Sequence, residues 1–362
     1  MKKAREGLRS VSMAALISLC VCGVFGPSPG SFTEGSNTAY ISVPLAALVS
    51  GAAGAALFAL FRSGGKTFPE LLDPFGRAVG TALALPLALG LLFCAVRPLS
   101  VFIQVLHRLV FDGAVFALIP AFVLPVTFFM AVKGASSVGR TALVLAGVIG
   151  LSFAANMVLA APGFDAYRLY AGLGEGAGQT LSSALSYSFF FMTPLLGIAV
   201  NAGEGDIRSL SHRSALFTGA KAAAVCFAAH ISTALSFHPA MLGDMIMPLC
   251  RIAFVSPKPG AIYRFDKVFV MIWLMGAMIS AAYCLASGAR LVSGVLGAES
   301  DLPAALIFCA LAAGLLFLPL TLPAGLNERV RFIIERYGAA LPAVTAAAAA
   351  VSAFRERRRK RA

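Results

Sequence analysis

Charge is what this chain has least of. Only 12% of its residues are Asp, Glu, Lys or Arg, about half of the roughly 25% usual in soluble domains. With 59% hydrophobic residues and a mean hydropathy of +0.86, an ordinary soluble fold is excluded and a bilayer is the expected solvent. Acids are missing where proton transport would need them. All sixteen Asp and Glu residues, from Glu6 to Glu356, lie outside the long apolar runs. Proton-coupled carriers usually keep an ionisable relay inside the membrane, so the pattern counts against proton coupling.

Other absences narrow the chemistry. The seven cysteines, at positions 20, 22, 94, 226, 250, 284 and 309, include one close pair, Cys20 and Cys22. No neighbouring histidine completes a zinc pattern. Most of the thiols sit in apolar runs, where cysteine behaves as a small hydrophobe, so neither a metal nor another cofactor is expected. There is no G-x-S-x-G, H-E-x-x-H or paired-carboxylate arrangement, and no enzyme activity is expected. Gly172 to Gly178 (GLGEGAG) has the glycines of a phosphate-binding loop but no strand before it; it reads as an extracytoplasmic loop.

What is present is a series of ten runs free of acidic and basic charge: Ser10–Thr33, Gly35–Phe61, Ala78–Val96, Gly113–Val132, Thr141–Phe164, Gly176–Gly203, Ala222–Gly243, Val268–Ala289, Leu302–Asn327 and Tyr337–Phe354. About 17–25 residues suffice to cross a bilayer. Gly26-Pro27-Ser28-Pro29-Gly30 should end or unwind the first helix, and the third run has room to continue past Arg97 and Pro98 to Leu106. The tenth is Ala-rich and short. A basic start followed by an apolar core also leaves a cleaved signal peptide as an alternative reading of the first 26 residues.

The net charge of +13 is concentrated between the runs and in the tail Arg355 to Arg361, which argues for membrane orientation rather than nucleic acid binding. Ten spans put both ends on one side. That side collects nineteen Lys and Arg residues against ten on the other, so both termini are expected in the cytoplasm. The expected organisation is a cytoplasmic N-terminus (1–9), one transmembrane domain (10–354) and a basic cytoplasmic tail (355–362).

His230 is the ionisable side chain deepest in a run. It reads first as a buried histidine hydrogen-bonded to a neighbouring helix, with a proton or ligand role as the alternative. Gln104, Asn156, Thr193 and Ser280 read as polar glue between helices or as ligand contacts.

The eighth run and its charged doorstep, RFDKVFVMIWLMGAMISAAY (Arg264 to Tyr283), hold the lone tryptophan, Trp273. This string resembles the eighth span of the GerAB-type spore germination permeases, a branch of the amino acid–polyamine–organocation transporter superfamily. The preceding MPLCRIAF (Met247 to Phe254) fits the half-helix that leads into that span. Asn37 to Leu60 resembles the family's second span, with Thr38 and Tyr40 standing for its Asp and Trp. Gly64 to Gly80, Gly134 to Arg140 and Gly174 to Leu185 resemble its later loops and span starts, in the same order.

The resemblance implies an all-α integral membrane protein of about ten transmembrane helices, arranged as inverted five-helix repeats of the amino acid permease (LeuT-like) type. It implies the B-type membrane subunit of a nutrient germinant receptor in the spore inner membrane, working with A-type and C-type receptor subunits. The ligand would be a small nutrient, an amino acid, held at mid-membrane where the first and sixth helices are broken. Carried onto this chain, the implied ligand-binding residues are Gly23, Gly26, Ser188, Phe191, Thr193, Pro194 and Ser280. The family's sixth span usually carries a glycine and a glutamate; here SFFFMTP (Ser188 to Pro194) puts Phe191 and Thr193 in their place. A secondary amino-acid transporter of the same fold is the alternative function, and a ligand-free scaffold a third.

Overall fold

A computed structural model describes residues 2–27, 39–64, 66–111, 118–169, 176–203, 212–242, 245, 247–255, 265–317 and 338–359. Among the described residues ten helices carry the bundle: α1 Lys2–Phe25, α2 Ala39–Gly64, α3 Arg77–Val105, α4 Leu118–Val132, α5 Ala135–Ala160, α6 Ala177–Asn201, α7 His212–Ser236, α8 Phe265–Leu296, α9 Leu302–Phe317 and α10 Ala340–Arg359. Seven of them are long and apolar enough to cross a bilayer, and α4, α9 and α10 are shorter apolar helices. Each overlaps one of the ten charge-free runs. A further short helix, Pro248–Val255, occupies the MPLCRIAF segment ahead of α8.

The helix ends depart from the run ends because a helix does not stop at its first charge. α7 starts at His212, ten residues ahead of the run, and carries exposed Lys221 within it. α8 extends to 32 residues, well beyond the span of its charge-free run. α3 does continue past Arg97 and Pro98, and ends in a π turn over Leu106–Val110. Arg264, Asn37, Thr38, residues 172–175 of the glycine loop and the run ends beyond 317 lie outside the described residues.

Little hydrophobic force holds helices together in lipid; close packing of small residues does. The α2–α7 contact shows how. A Cβ at Gly219 would stand 2.8 Å from the Cα of Gly51, and one at Gly51 would stand 3.1 Å from the Cα of Gly219. Backbone therefore touches backbone, flanked by Ala47, Ala55, Ala215 and Ala222, all buried. Hydroxyls in the spans bond mainly to their own helix: Thr127 to the Val123 carbonyl, Thr233 to that of Ala229 and Ser293 to that of Ala289. That satisfies them without water.

The two most extensive pairings, α2–α7 and α3–α8, and the α1–α6 contact as well, each link a helix to the one five later. Gly51 faces Gly219 while Gly54 approaches Ala215, so α2 and α7 run antiparallel. Gly80 of α3 approaches Val295 of α8, and the Phe102 and Trp273 rings both stack on Phe25, so α3 and α8 are antiparallel as well. Other contacts repeat under the same shift of five, as α1–α7 matches α2–α6 and α5–α8 matches α3–α10. Two five-helix sets related by inversion account for this pattern.

The resemblance implied that α1 and α6 are broken at mid-membrane. In the structure α1 is one helix to Phe25 and α6 is one helix from Ala177 to Asn201 with Pro194 inside. Three successive rings, Phe189, Phe190 and Phe191, are fully buried here.

Candidate functional site

The centre of the bundle is where α1, α3, α6 and α8 meet. Taking the end where α1 begins as the lower end, the Ser18 hydroxyl of α1 pairs with Ser280 of α8 at 2.9 Å and approaches the Cys284 thiol at 3.4 Å. One turn up, Cys22 reaches the Cys94 carbonyl of α3 at 3.6 Å and the Ser280 hydroxyl at 3.7 Å. Ser18, Cys22, Cys94, Ser280 and Cys284 are all fully buried. A neutral polar cluster thus sits in a core that is otherwise apolar. Such groups cost free energy unless paired, and these are paired with one another.

Above it, Gly23 lies against α6 and α7. A Cβ there would come within 2.5 Å of the Phe191 ring and 2.7 Å of the Cys226 sulfur, so only glycine fits while Phe191 keeps this position. The Gly23 carbonyl faces His230 Nε2 at 3.2 Å, the interhelical role expected for that histidine. Thr193 is fully buried, and its hydroxyl makes no hydrogen bond of normal geometry among the described residues; it packs on Gly90 of α3, whose added Cβ would stand 3.3 Å from the Thr193 methyl.

The upper end is closed by rings. Phe25 meets Phe102 edge-on at 4.9 Å and Trp273 at 5.2 Å, while Phe153 and Phe269 stack on Trp273 at 5.8 and 5.9 Å. Arg97 Nε donates to the Gly26 carbonyl at 3.3 Å, tying α3 to the end of α1. Below the cluster, the Tyr283 hydroxyl donates to the Pro194 carbonyl at 3.0 Å. Ser287 donates to the Tyr283 carbonyl and Asn201 to Ser287, both at 2.7 Å. This chain of bonds fastens the lower half of α6 to α8. Beneath it opens a cavity of about 280 Å³.

Of the seven residues that the resemblance singled out, Gly23, Phe191, Thr193 and Ser280 surround the Cys22 turn of α1. Pro194 lies just below them through its bond with Tyr283. Gly26 packs on Phe190 at the upper end. The Ser188 hydroxyl donates to the Leu185 carbonyl of its own helix, and the Ser188 carbonyl accepts from Ser50 of α2 at 3.3 Å. Sequence reasoning missed Ser18, Cys22, Cys94, Cys284, Tyr283, Ser287 and Asn201. The spacing Ser18/Cys22 and Ser280/Cys284, four apart on one helix face, was the available signal. Among the described residues no three His, Cys, Asp or Glu side chains are placed to hold a metal ion.

Residues 8–322 match the family described as spore germination protein. No curated protein matches the chain in sequence. Solved structures resemble it in fold. One is Mhp1, a nucleobase-cation-symport-1 family transporter in a closed conformation with bromovinylhydantoin bound. It matches with a TM-score of 0.63 and 14% identity, covering 88% of this chain and 72% of that one. Another is a manganese transporter of Eremococcus coleocola in complex with an aromatic bis-isothiourea substituted compound. Here the TM-score is 0.58 and the identity 13%, over 94% of this chain and 75% of that one. At such identities the likeness is one of fold, the LeuT type of two inverted five-helix repeats.

Proposed function

The chain belongs to the spore germination protein family, and from that premise we propose that it is the B-type membrane subunit of a nutrient germinant receptor. As a member of that family with a transporter fold, it is an integral membrane protein of transporter type that handles a small molecule. The finer reading is that it senses rather than carries its ligand. The nutrient, an amino acid, would sit among α1, α3, α6 and α8, against Gly23, Phe191, Thr193, Pro194 and Ser280, with Gly26 and Ser188 at the margin. The protein would lie in the spore inner membrane with both termini in the cytoplasm, beside A-type and C-type subunits.

One observation carries this reading: a buried cluster of neutral hydroxyls and thiols at the crossing of these four helices, capped by a single ring, Phe191, that closes on Gly23. Small amphipathic ligands are held by a few placed polar groups in an apolar pocket. Here the pocket is filled by that ring, so a ligand must displace it. Displacing a ring packed across α1 and α6 changes how these helices fit together, and a ligand that favours the opened arrangement shifts the population toward it. A partner subunit can read that shift. Substituting Thr193 by a bulky residue should change the nutrient dose–response of spores while receptor assembly, followed by co-purification of the partner subunits, stays intact. An unaltered dose–response would remove this site from consideration.

Secondary transport of an amino acid is favoured by a different observation, the cavity beneath the cluster at the lower end. Uptake of labelled amino acids into liposomes holding the purified chain alone distinguishes the two. A sensor subunit gives no accumulation above empty liposomes.

A further inference from the structure

The cavity at the lower end is lined by charge that the central site does not use. Its walls are the α4–α5 turn, the foot of α6, and α8 with the start of α9. Lys133 and Arg290 bring two positive charges and Asp301 one negative, leaving an excess of one. Asp301 is already engaged, because it accepts from the Ser293 hydroxyl. Arg290 is half-buried, and its guanidinium has no hydrogen-bond or ion-pair partner among the described residues. An anion that reaches this guanidinium gains charge-assisted hydrogen bonds.

Two further features converge there. The first turn of α5 carries no acidic residue and its Gly134 start provides no side-chain cap; the Ser137 and Val138 N–H groups bond to the Gly134 carbonyl, which leaves those of Ala135 and Ser136, both in the cavity wall, at the positive end of the helix. The Lys133 ammonium lies 5.3 Å over the Phe129 ring, and Phe129 is 64% exposed on the apolar flank. Lys133 therefore stands where the apolar belt gives way to the headgroup layer.

We propose that this cavity is a binding site for a phosphate group, clamped by the Arg290 fork on one side and the Lys133 ammonium on the other. A guanidinium fork matches two phosphate oxygens, and a lysine adds a point charge. The phosphate comes either from an anionic lipid of the adjoining leaflet, since basic pockets between spans recognise such headgroups, or from free phosphate in solution. This site is separate from the central cluster and holds whether or not that cluster binds a nutrient.

The test uses the full purified chain. Its thermal midpoint is followed by the fluorescence of Trp273 in two arms: detergent titrated with inorganic phosphate, and phosphatidylcholine nanodiscs with or without phosphatidylglycerol. A rise with phosphate assigns the soluble source, and a rise with phosphatidylglycerol alone assigns the lipid. Arg290→Gln and Lys133→Gln should each weaken the response about tenfold in apparent Kd, as loss of a charge-assisted contact does. Arg140→Gln, on α5 outside the cavity, should leave it unchanged. If Arg290→Gln fails to fold, Arg290→Lys keeps the charge but loses the fork, and should still weaken binding. The proposal is overturned if neither arm raises the midpoint, if sodium acetate raises it equally, or if the Arg290 variants respond as the parent does.

Discussion

Phe191 and Gly23 form one packing unit across α1 and α6, and each makes sense only with the other. Gly23→Ala puts a methyl 2.5 Å from the ring, an overpacking that costs about 1–3 kcal/mol. Adding Phe191→Leu should restore most of the thermal midpoint, and a double-mutant cycle measures the coupling. Phe191→Ala alone removes a ring whose loss from a core costs about 3–5 kcal/mol, yet it also frees the space that a ligand needs. We therefore expect a lower midpoint without nutrient, a larger nutrient-induced rise, and a dose–response shifted to lower nutrient concentration. By contrast Ser280→Ala should cost little, since membrane hydrogen bonds average about 0.6 kcal/mol. If its effect on nutrient response is large while its effect on stability is small, ligand contact and not helix glue explains the hydroxyl. Outside the membrane, burial and the neighbouring Glu70 hold the Asp73 carboxyl above its ordinary value. A raised folded value means that stability from this group is present below the unfolded value and is lost as pH rises through the folded one. Asp73→Asn should accordingly raise the thermal midpoint at neutral pH and leave it unchanged at acid pH. The sequence pointed to Phe191 and Ser280 but not to Ser18, because the partners are 262 residues apart and a serine in an apolar run carries no sign of what it will face.

Among the elements, α2 and α7 set a strict limit on substitution, as α1 and α5 do where Gly139 meets the Ser10 backbone. Gly219→Leu would drive a side chain into the Gly51 backbone, 2.8 Å from where its Cβ must stand. Backbone cannot give way as a flexible side chain can, so we expect loss of folded protein, seen as failure to recover a monodisperse peak. Leucine at the open Gly147, where nothing lies within 4 Å of an added Cβ, should be tolerated. The existence and order of all ten helices were legible in the charge-free runs, since a bilayer enforces length and polarity on each. Their ends were not, because interfacial turns such as His212 to Lys221 stay helical while carrying charge. The continuity of α6 through Pro194 was equally hidden. Proline removes one helical bond and usually bends the helix; here the buried Phe189, Phe190 and Phe191 and the Tyr283 bond to the Pro194 carbonyl support the continuous helix. Tyr283→Phe should loosen the lower half of α6 and speed hydrogen exchange there, with little change in α2 or α7.

At the scale of the molecule, the rings close the upper end and the lower end keeps its cavity. An accessibility test of tags on both termini in sealed vesicles checks the proposed orientation, in which the lower end and its cavity would face the cytoplasm, and both tags should be protected or exposed together. The inverted repeat was implied by family resemblance and not by any periodicity that the residues display, because its two halves share packing geometry rather than recognisable sequence. The polar cluster has one more consequence. Cys22, Cys94, Cys226 and Cys284 are all free and buried, and they ring the place that would open if a nutrient displaced Phe191 as proposed. The protein thus carries its own chemical stopwatch. The rate at which a maleimide reaches these native thiols, mapped peptide by peptide, would time the opening without any introduced label.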